Sequence, residues 1–112
     1  MIVDGTNVTM TRGDSESFVV IYRIGGVKVP LVTGDRVYLT IKARETDTVK
    51  ALQKIVTEFV NGTAEIIINP VDTQALPFKT FVYDVQINFA NGNVKTVITP
   101  SKFTIAKEVT HE

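Results

Sequence analysis

The chain has 112 residues, a mass of 12.3 kDa, no cysteine and a formal net charge of zero. This length suits one domain, which we assign to residues 1–112, and the absence of cysteine excludes disulfides. Balanced charge excludes a global field that would attract nucleic acid or an anionic membrane, so neither is an expected partner. Val 17, Ile 11 and Thr 15, against Leu 4 and Ala 6, favour an all-β fold.

Hydrophobic alternation predicts the first elements. Val8 and Met10 alternate with polar residues and predict a short strand that ends before Gly13. Residues 17–24 predict a second strand, which Gly25-Gly26 would fold back onto residues 27–29. Residues 35–44 predict a central strand that has Val37, Leu39, Ile41 and Ala43 on one face.

Residues 51–60 allow two interpretations. Apolar residues at helical spacing, including Leu52, Val56 and Phe59, are typical of an amphipathic helix that ends at Gly62. The β-branched run at residues 55–57 favours a strand, and Asn61-Gly62 is a hairpin turn only if strands flank it. The pattern favours the strand without excluding the helix.

The remaining elements follow in close order. Residues 64–69 predict a strand, residues 72–76 (Asp72 to Leu76) one helical turn between sheets, and residues 79–89 the clearest strand of the chain. Asn91-Gly92 predicts a two-residue turn with positive φ at both positions, leading into a strand over residues 94–99. Pro100-Ser101 is expected to end that strand before a last one carrying Phe103, Ile105 and Val109.

About eight short strands with hairpin connections and one longer crossing are typical of two packed antiparallel sheets. We predict an immunoglobulin-like antiparallel β-sandwich with one short helical turn near residues 72–76. A closed barrel is the alternative. The Cys, Trp, Cys core of antibody domains is absent, because the chain has neither residue type.

The inventory of reactive residues argues against an enzyme. Cysteine nucleophiles are absent, and the only histidine is His111, next to the end of the sequence. The same shortage removes the usual zinc ligands, and no glycine-rich loop precedes a helix to hold phosphate. We therefore expect no catalytic residues, no metal and no cofactor. No apolar run is long enough for a signal peptide or a membrane span.

Two tyrosines are the candidate contact residues. Tyr38 points to the face opposite Val37 and Leu39, and Tyr22 is the second candidate, whereas Tyr83 shares the apolar face of its strand and is expected in the core. Exposed aromatic rings can stack on sugars as well as on protein. Tyr38 and Tyr22 therefore also support an alternative function, a carbohydrate or cell-wall binding module.

The order of several segments resembles one family. Residues 4–17 (DGTNVTMTRGDSES) and 34–42 (GDRVYLTIK) are similar to the N-terminal domain of phage and prophage baseplate upper proteins of Gram-positive bacteria. The similarity continues through later segments, which are LQK at 52–54, PVDT at 70–73 with Leu76, FVYDVQ at 81–86, Asn91-Gly92 and PSKFTI at 100–105.

The resemblance implies a β-sandwich that acts in assembly and not in catalysis. It implies a non-enzymatic structural module of a phage tail, in a baseplate or at a fibre attachment, with other tail proteins as partners and a homo-oligomeric state. It also favours a strand over residues 51–60. The expected location is the virion tail, after synthesis in the bacterial cytoplasm.

Overall fold

The chain folds almost entirely into strands. The computed structural model describes residues 1–107, and within them ten strands and one helix follow one another. In chain order these are β1 (Ile2–Asp4), β2 (Asn7–Thr11), β3 (Glu16–Val20), β4 (Arg23–Ile24), β5 (Val27–Lys28), β6 (Arg36–Lys42), β7 (Leu52–Val56), β8 (Ala64–Ile68), α1 (Pro70–Gln74), β9 (Thr80–Asn88) and β10 (Val94–Ala106). The all-β prediction is confirmed.

Two sheets share one core. The large sheet has six strands in the order β1-β2-β10-β9-β6-β7, and the small sheet pairs β3 with β8. All pairs are antiparallel except β2 with β10, which is parallel. The third sheet is the β4–β5 hairpin alone. This is a sandwich-like arrangement, and its immunoglobulin-like subclass remains a prediction.

The core lies between the large and small sheets. Phe103 of β10 is fully buried, with its ring 6.2 Å from that of Phe18 on β3 and 5.5 Å from that of Tyr83 on β9. The other buried apolar residues are Val8, Met10, Val20, Leu31, Val37, Leu39, Ile41, Ala64, Ile66, Ile68, Phe81, Val85, Ile87 and Ile105. The alternating apolar residues of β6 and β9 therefore face the core, as predicted.

The helix follows β8 of the small sheet and is bonded to the turn between β2 and β3. It begins at Pro70, two residues before the predicted turn, where proline needs no N–H partner. The carboxylate of Asp72 accepts a hydrogen bond from the Asn69 backbone N–H at 2.7 Å. Buried Thr73 accepts one from the Gly13 backbone N–H at 2.8 Å.

Residues 51–60 contain a strand and no helix. β7 pairs with β6 from Leu52 opposite Ile41 to Val56 opposite Val37. The strand ends at Val56, so it is shorter than predicted. The turn at Asn61-Gly62 is confirmed, with φ of 52° and 73°. Its flanking pair is a single bridge between Val60 and Thr63.

The first part of the chain differs from the prediction in two respects, a divided strand and an additional one. β3 ends at Val20, opposite Ala64, because its partner β8 begins there, and residues 17–24 therefore divide into β3 and β4. Gly25-Gly26 does form a hairpin, between β4 and β5. The short β1 is an additional strand paired with β2.

Pro100 does not end a strand. Pro100 lies inside β10, which is 13 residues long and runs from Val94 to Ala106. The pairing of β10 with β9 shifts register between Thr96 and Ile98 and again between Ile98 and Ser101. A bulge leaves a residue out of the ladder, so the missing N–H of proline is tolerated there. The last predicted strand is therefore the second half of β10. Val109, predicted to extend it, and His111 lie outside the described residues.

The β9–β10 hairpin is confirmed, but its predicted turn is wrong. Phe89 N–H donates to the Asn93 carbonyl at 2.8 Å, so the loop has three residues, 90–92. Gly92 alone adopts positive φ, at 92°. Asn91 instead accepts a hydrogen bond through its side chain from Asn93 N–H at 2.9 Å, which stabilises the turn without a left-handed asparagine.

Candidate functional site

Tyr38 lies on the open face of the large sheet, on the side away from the core. On β6 it pairs with Gln86 of β9 on one side and with Ile55 of β7 on the other. Its side chain is half-buried between these neighbours. The predicted orientation of Tyr38 is therefore confirmed, and its use as a contact residue remains a prediction.

The surface beside Tyr38 is polar and shallow. Gln53 Nε2 donates to Thr40 Oγ1 at 3.0 Å across β7 and β6. A nearby depression of about 50 Å³ is lined by residues that include Lys42, Glu45 and Asp84. A space of this size holds one or two waters, so it does not enclose a sugar ring. A ligand on this face would lie on it and not in a pocket.

Tyr22 lies elsewhere. Its ring is 5.3 Å from that of Phe89 and tilted by 52°, and it is partly buried against the core. Phe89 continues the inward-facing series of β9, so Tyr22 and Tyr38 lie on opposite sides of the large sheet. The two tyrosines do not form one aromatic platform.

Tyr83 is in the core, as predicted. It is 6% exposed, and its hydroxyl donates to the Thr6 carbonyl in the β1–β2 turn. Burial raises the pKa of this phenol. Beside Tyr83, an apolar cavity of about 170 Å³ opens between β3 and the bulged part of β10, lined also by Phe18, Leu39 and Ile98.

The structure exposes apolar residues that the sequence interpretation did not single out. On the outer face of the small sheet, Val19 is 61% exposed and Ile67 is 49% exposed. Their strands are apolar without interruption at residues 18–20 and 66–68, and in a strand every second residue of such a run must face outward. These uninterrupted runs were the signal that could have revealed the surface.

A groove runs beside these residues. We call it the acidic groove; its volume is about 530 Å³, and its lining residues are Val19, Glu58, Phe59, Val60, Thr63 and Glu65. A second depression of about 400 Å³ continues from Glu58 and Glu65 toward Ile55 and Ile67. Among residues 1–107, neither glutamate forms an ion pair. The surface is thus apolar with unneutralised negative charge.

The β4–β5 hairpin projects next to this groove, and we call it the basic arm (residues 23–28). All four of its strand residues are exposed. Lys28 Nζ donates to the Asn61 carbonyl at 2.5 Å, and Leu31 N–H donates to the Gly62 carbonyl at 2.9 Å. These bonds hold the base of the arm against the turn that follows Val60.

A partly buried ion pair lies beside the second depression. Lys54 Nζ on β7 lies 2.9 Å from the carboxylate of Asp72 in α1. Burial of this carboxyl opposes its ionisation, but the Asn69 N–H and Lys54 outweigh that effect and lower the pKa of Asp72 below its usual value of 3.8. The pair links the edge strand of the large sheet to the helix that follows β8.

Because the pKa of Asp72 is lower in the folded state, its carboxylate stabilises the fold above pH 3.8, and this contribution disappears as pH falls through the lowered value. We expect Asp72→Asn to lower the free energy of unfolding by about 1 kcal/mol at pH 7 and by much less at pH 2. Urea denaturation at the two pH values measures this. Asp4→Asn, at an exposed carboxyl, is the control; an Asp72→Asn effect equal at both pH values would contradict the account.

Within residues 1–107, no three His, Cys, Asp or Glu side chains come together in a way that could hold a metal ion. Among the same residues, no helix is long and apolar enough to cross a membrane. Three surfaces have a defined geometry, namely the open face around Tyr38, the acidic groove and the basic arm.

Comparisons with known proteins do not assign the chain to a family. No family model matches the sequence, and no curated protein matches it.

Proposed function

We propose that the chain is a non-enzymatic structural module of a phage or prophage tail, which works through protein–protein contacts in a baseplate or at a fibre attachment. The observation that carries this proposal is the concentration of exposed apolar residues around the acidic groove, where Val60 is 75% and Val19 61% exposed. Apolar surface gathered in this way is characteristic of protein interaction sites. The resemblance of residues 4–17 and 34–42 to baseplate upper proteins supports the choice of a tail.

The proposed partners are other tail or baseplate proteins and further copies of the chain itself. The proposed location is the virion tail, reached after synthesis in the bacterial cytoplasm. In this function the fold supplies a rigid support, because the sheets fix the relative positions of the exposed side chains. No catalytic residue and no cofactor takes part.

Removing the protein from the producing strain tests this function. We expect particles from the deletion strain to have incomplete tails, seen by electron microscopy, and to regain complete tails when the gene is supplied in trans. Particles with complete tails and unchanged infectivity after deletion would contradict the proposal.

The alternative is a carbohydrate or cell-wall binding module. It is supported by the half-exposed Tyr38 on a face rich in hydroxyl and amide groups. Titration with host cell-wall polysaccharide, followed by NMR, tests it through shifts at Tyr38 and Gln86. Tyr38→Ala is expected to abolish such shifts, whereas Tyr22→Ala, on the other side of the sheet, should leave them intact. Unchanged spectra would exclude this alternative.

A further inference from the structure

We propose that the acidic groove binds the basic arm of a second copy of this chain, so that two copies join by a reciprocal two-fold contact. The inference rests on the proposed function in one respect, since that function assigns the work of the chain to protein–protein contacts. It adds the two surfaces through which copies of the chain meet and the symmetry of their contact.

The basic arm has two distinct faces. The register places Arg23 directly opposite Lys28 and Ile24 directly opposite Val27. Like charges opposite each other destabilise a strand pair, and the Asn61 carbonyl that accepts from Lys28 is a neutral group, so an acidic partner would stabilise this hairpin further. On the other face, Ile24 is 60% exposed and Val27 is 68% exposed. The arm therefore combines an apolar pair with a cationic pair, and both lie at the surface.

The acidic groove has the complementary chemistry. Val19 and Val60 offer apolar surface to the arm, and Glu58 and Glu65 offer carboxylates that no cation of residues 1–107 neutralises. Because the cationic and apolar pairs lie on opposite faces of the arm, an arm inserted between the two sides of the groove would pair opposite charges on one face and cover apolar area on the other. Complementary charge of this kind sets the orientation of an interface and its partner.

The position of the arm selects two-fold symmetry. Its base is bonded to the 60–63 turn, so arm and groove adjoin on one side of the molecule. A two-fold contact requires a patch that complements itself, in which residue i meets j and j meets i. A positive half next to a negative half meets this requirement, because the rotation places each positive half on the negative half of the partner. Head-to-tail rings instead need two surfaces on different sides.

Charge-reversal variants of the purified chain test the proposal. Sedimentation equilibrium over a range of concentrations and salt should show a dimer that weakens as salt rises. Glu58→Lys with Glu65→Lys, or Arg23→Glu with Lys28→Glu, places like charges at both contacts. We expect each double variant to raise the dimer dissociation constant by at least about tenfold.

The decisive sample is an equimolar mixture of the two double variants. The first variant has a basic arm and a basic groove, and the second has an acidic arm and an acidic groove. Both contacts of the mixed pair therefore join opposite charges, and we expect the heterodimer to regain the affinity of the original chain. Asp14→Lys with Glu45→Lys, at exposed carboxyls away from the groove, is the control for net charge and should leave the dimer unchanged. Circular dichroism verifies the fold of each variant.

A monomer at all concentrations would overturn the inference, as would a dimer insensitive to both double variants or a failure of the mixture to restore association. If the acidic groove bound a different tail protein, the purified chain would be a monomer at all concentrations but would still be found in particles. Failure of the inference is thus separate from failure of the proposed function, which the deletion strain tests.

Discussion

Phe103→Ala is expected to lower the free energy of unfolding by about 3–5 kcal/mol. Phe103 is fully buried, and its ring contacts Phe18 of the small sheet and Tyr83 of the large sheet. It is the residue that joins the two layers through aromatic contacts. Truncation would leave a cavity between sheets that cannot close without shifting both ladders.

Phe78→Ala is the matched control, because it makes the same chemical change at a side chain that is 43% exposed. Phe78 has the Arg12 guanidinium 4.0 Å from its ring centre, so the expected loss is about 1 kcal/mol or less. Urea unfolding followed by circular dichroism measures both variants. Equal losses for the two substitutions would contradict the assignment of Phe103 to the centre of the core.

Asp35→Ala is expected to lower the free energy of unfolding by about 2–4 kcal/mol. Asp35 is 4% exposed, and its carboxylate accepts hydrogen bonds at 2.9 Å from the backbone N–H groups of Val32 and Ala90. One side chain thus fixes the loop before β6 to the β9–β10 turn. Its removal leaves two backbone donors unpaired, a loss that burial makes costly.

Asp47 provides the matched comparison. Its carboxylate also accepts from a backbone N–H three residues earlier, that of Arg44 at 3.1 Å, but it serves only its own exposed turn. We expect Asp47→Ala to cost less than about 1 kcal/mol. Urea denaturation of both variants measures the difference. Equal decreases in the free energy of unfolding would show that the hydrogen bond between Asp35 and Ala90 contributes little to stability.

The elements that the sequence predicted well have strict alternation. In β9, Phe81, Tyr83, Val85 and Ile87 all face the core, because a period of two leaves only one register in which the apolar face is buried. The same logic placed Tyr38 on the open face. The strand at β7 was favoured over a helix by its β-branched residues, and pairing with β6 bears this out.

The elements that the sequence predicted poorly are those whose bounds depend on strands distant in the chain. Nothing local shows that β3 must end where β8 begins, or that a bulge in β10 accommodates Pro100. The acidic groove is of the same kind, since Glu58 and Glu65 come together only when β8 packs beside the segment after β7. Contact surfaces built from separate strands have no sequence motif of their own. The uninterrupted apolar runs at residues 18–20 and 66–68 indicate only that each strand exposes apolar side chains, and not that the two exposed sets adjoin.

Quantitative mass spectrometry of gradient-purified particles from the producing strain tests the central claim most directly, namely that this chain is a structural part of a phage tail. Isotope-labelled reference peptides give its copy number relative to the tail proteins. We expect the chain to sediment with intact particles at a fixed ratio, a multiple of the tail symmetry. Its absence from intact particles whose tail proteins are present would contradict the account.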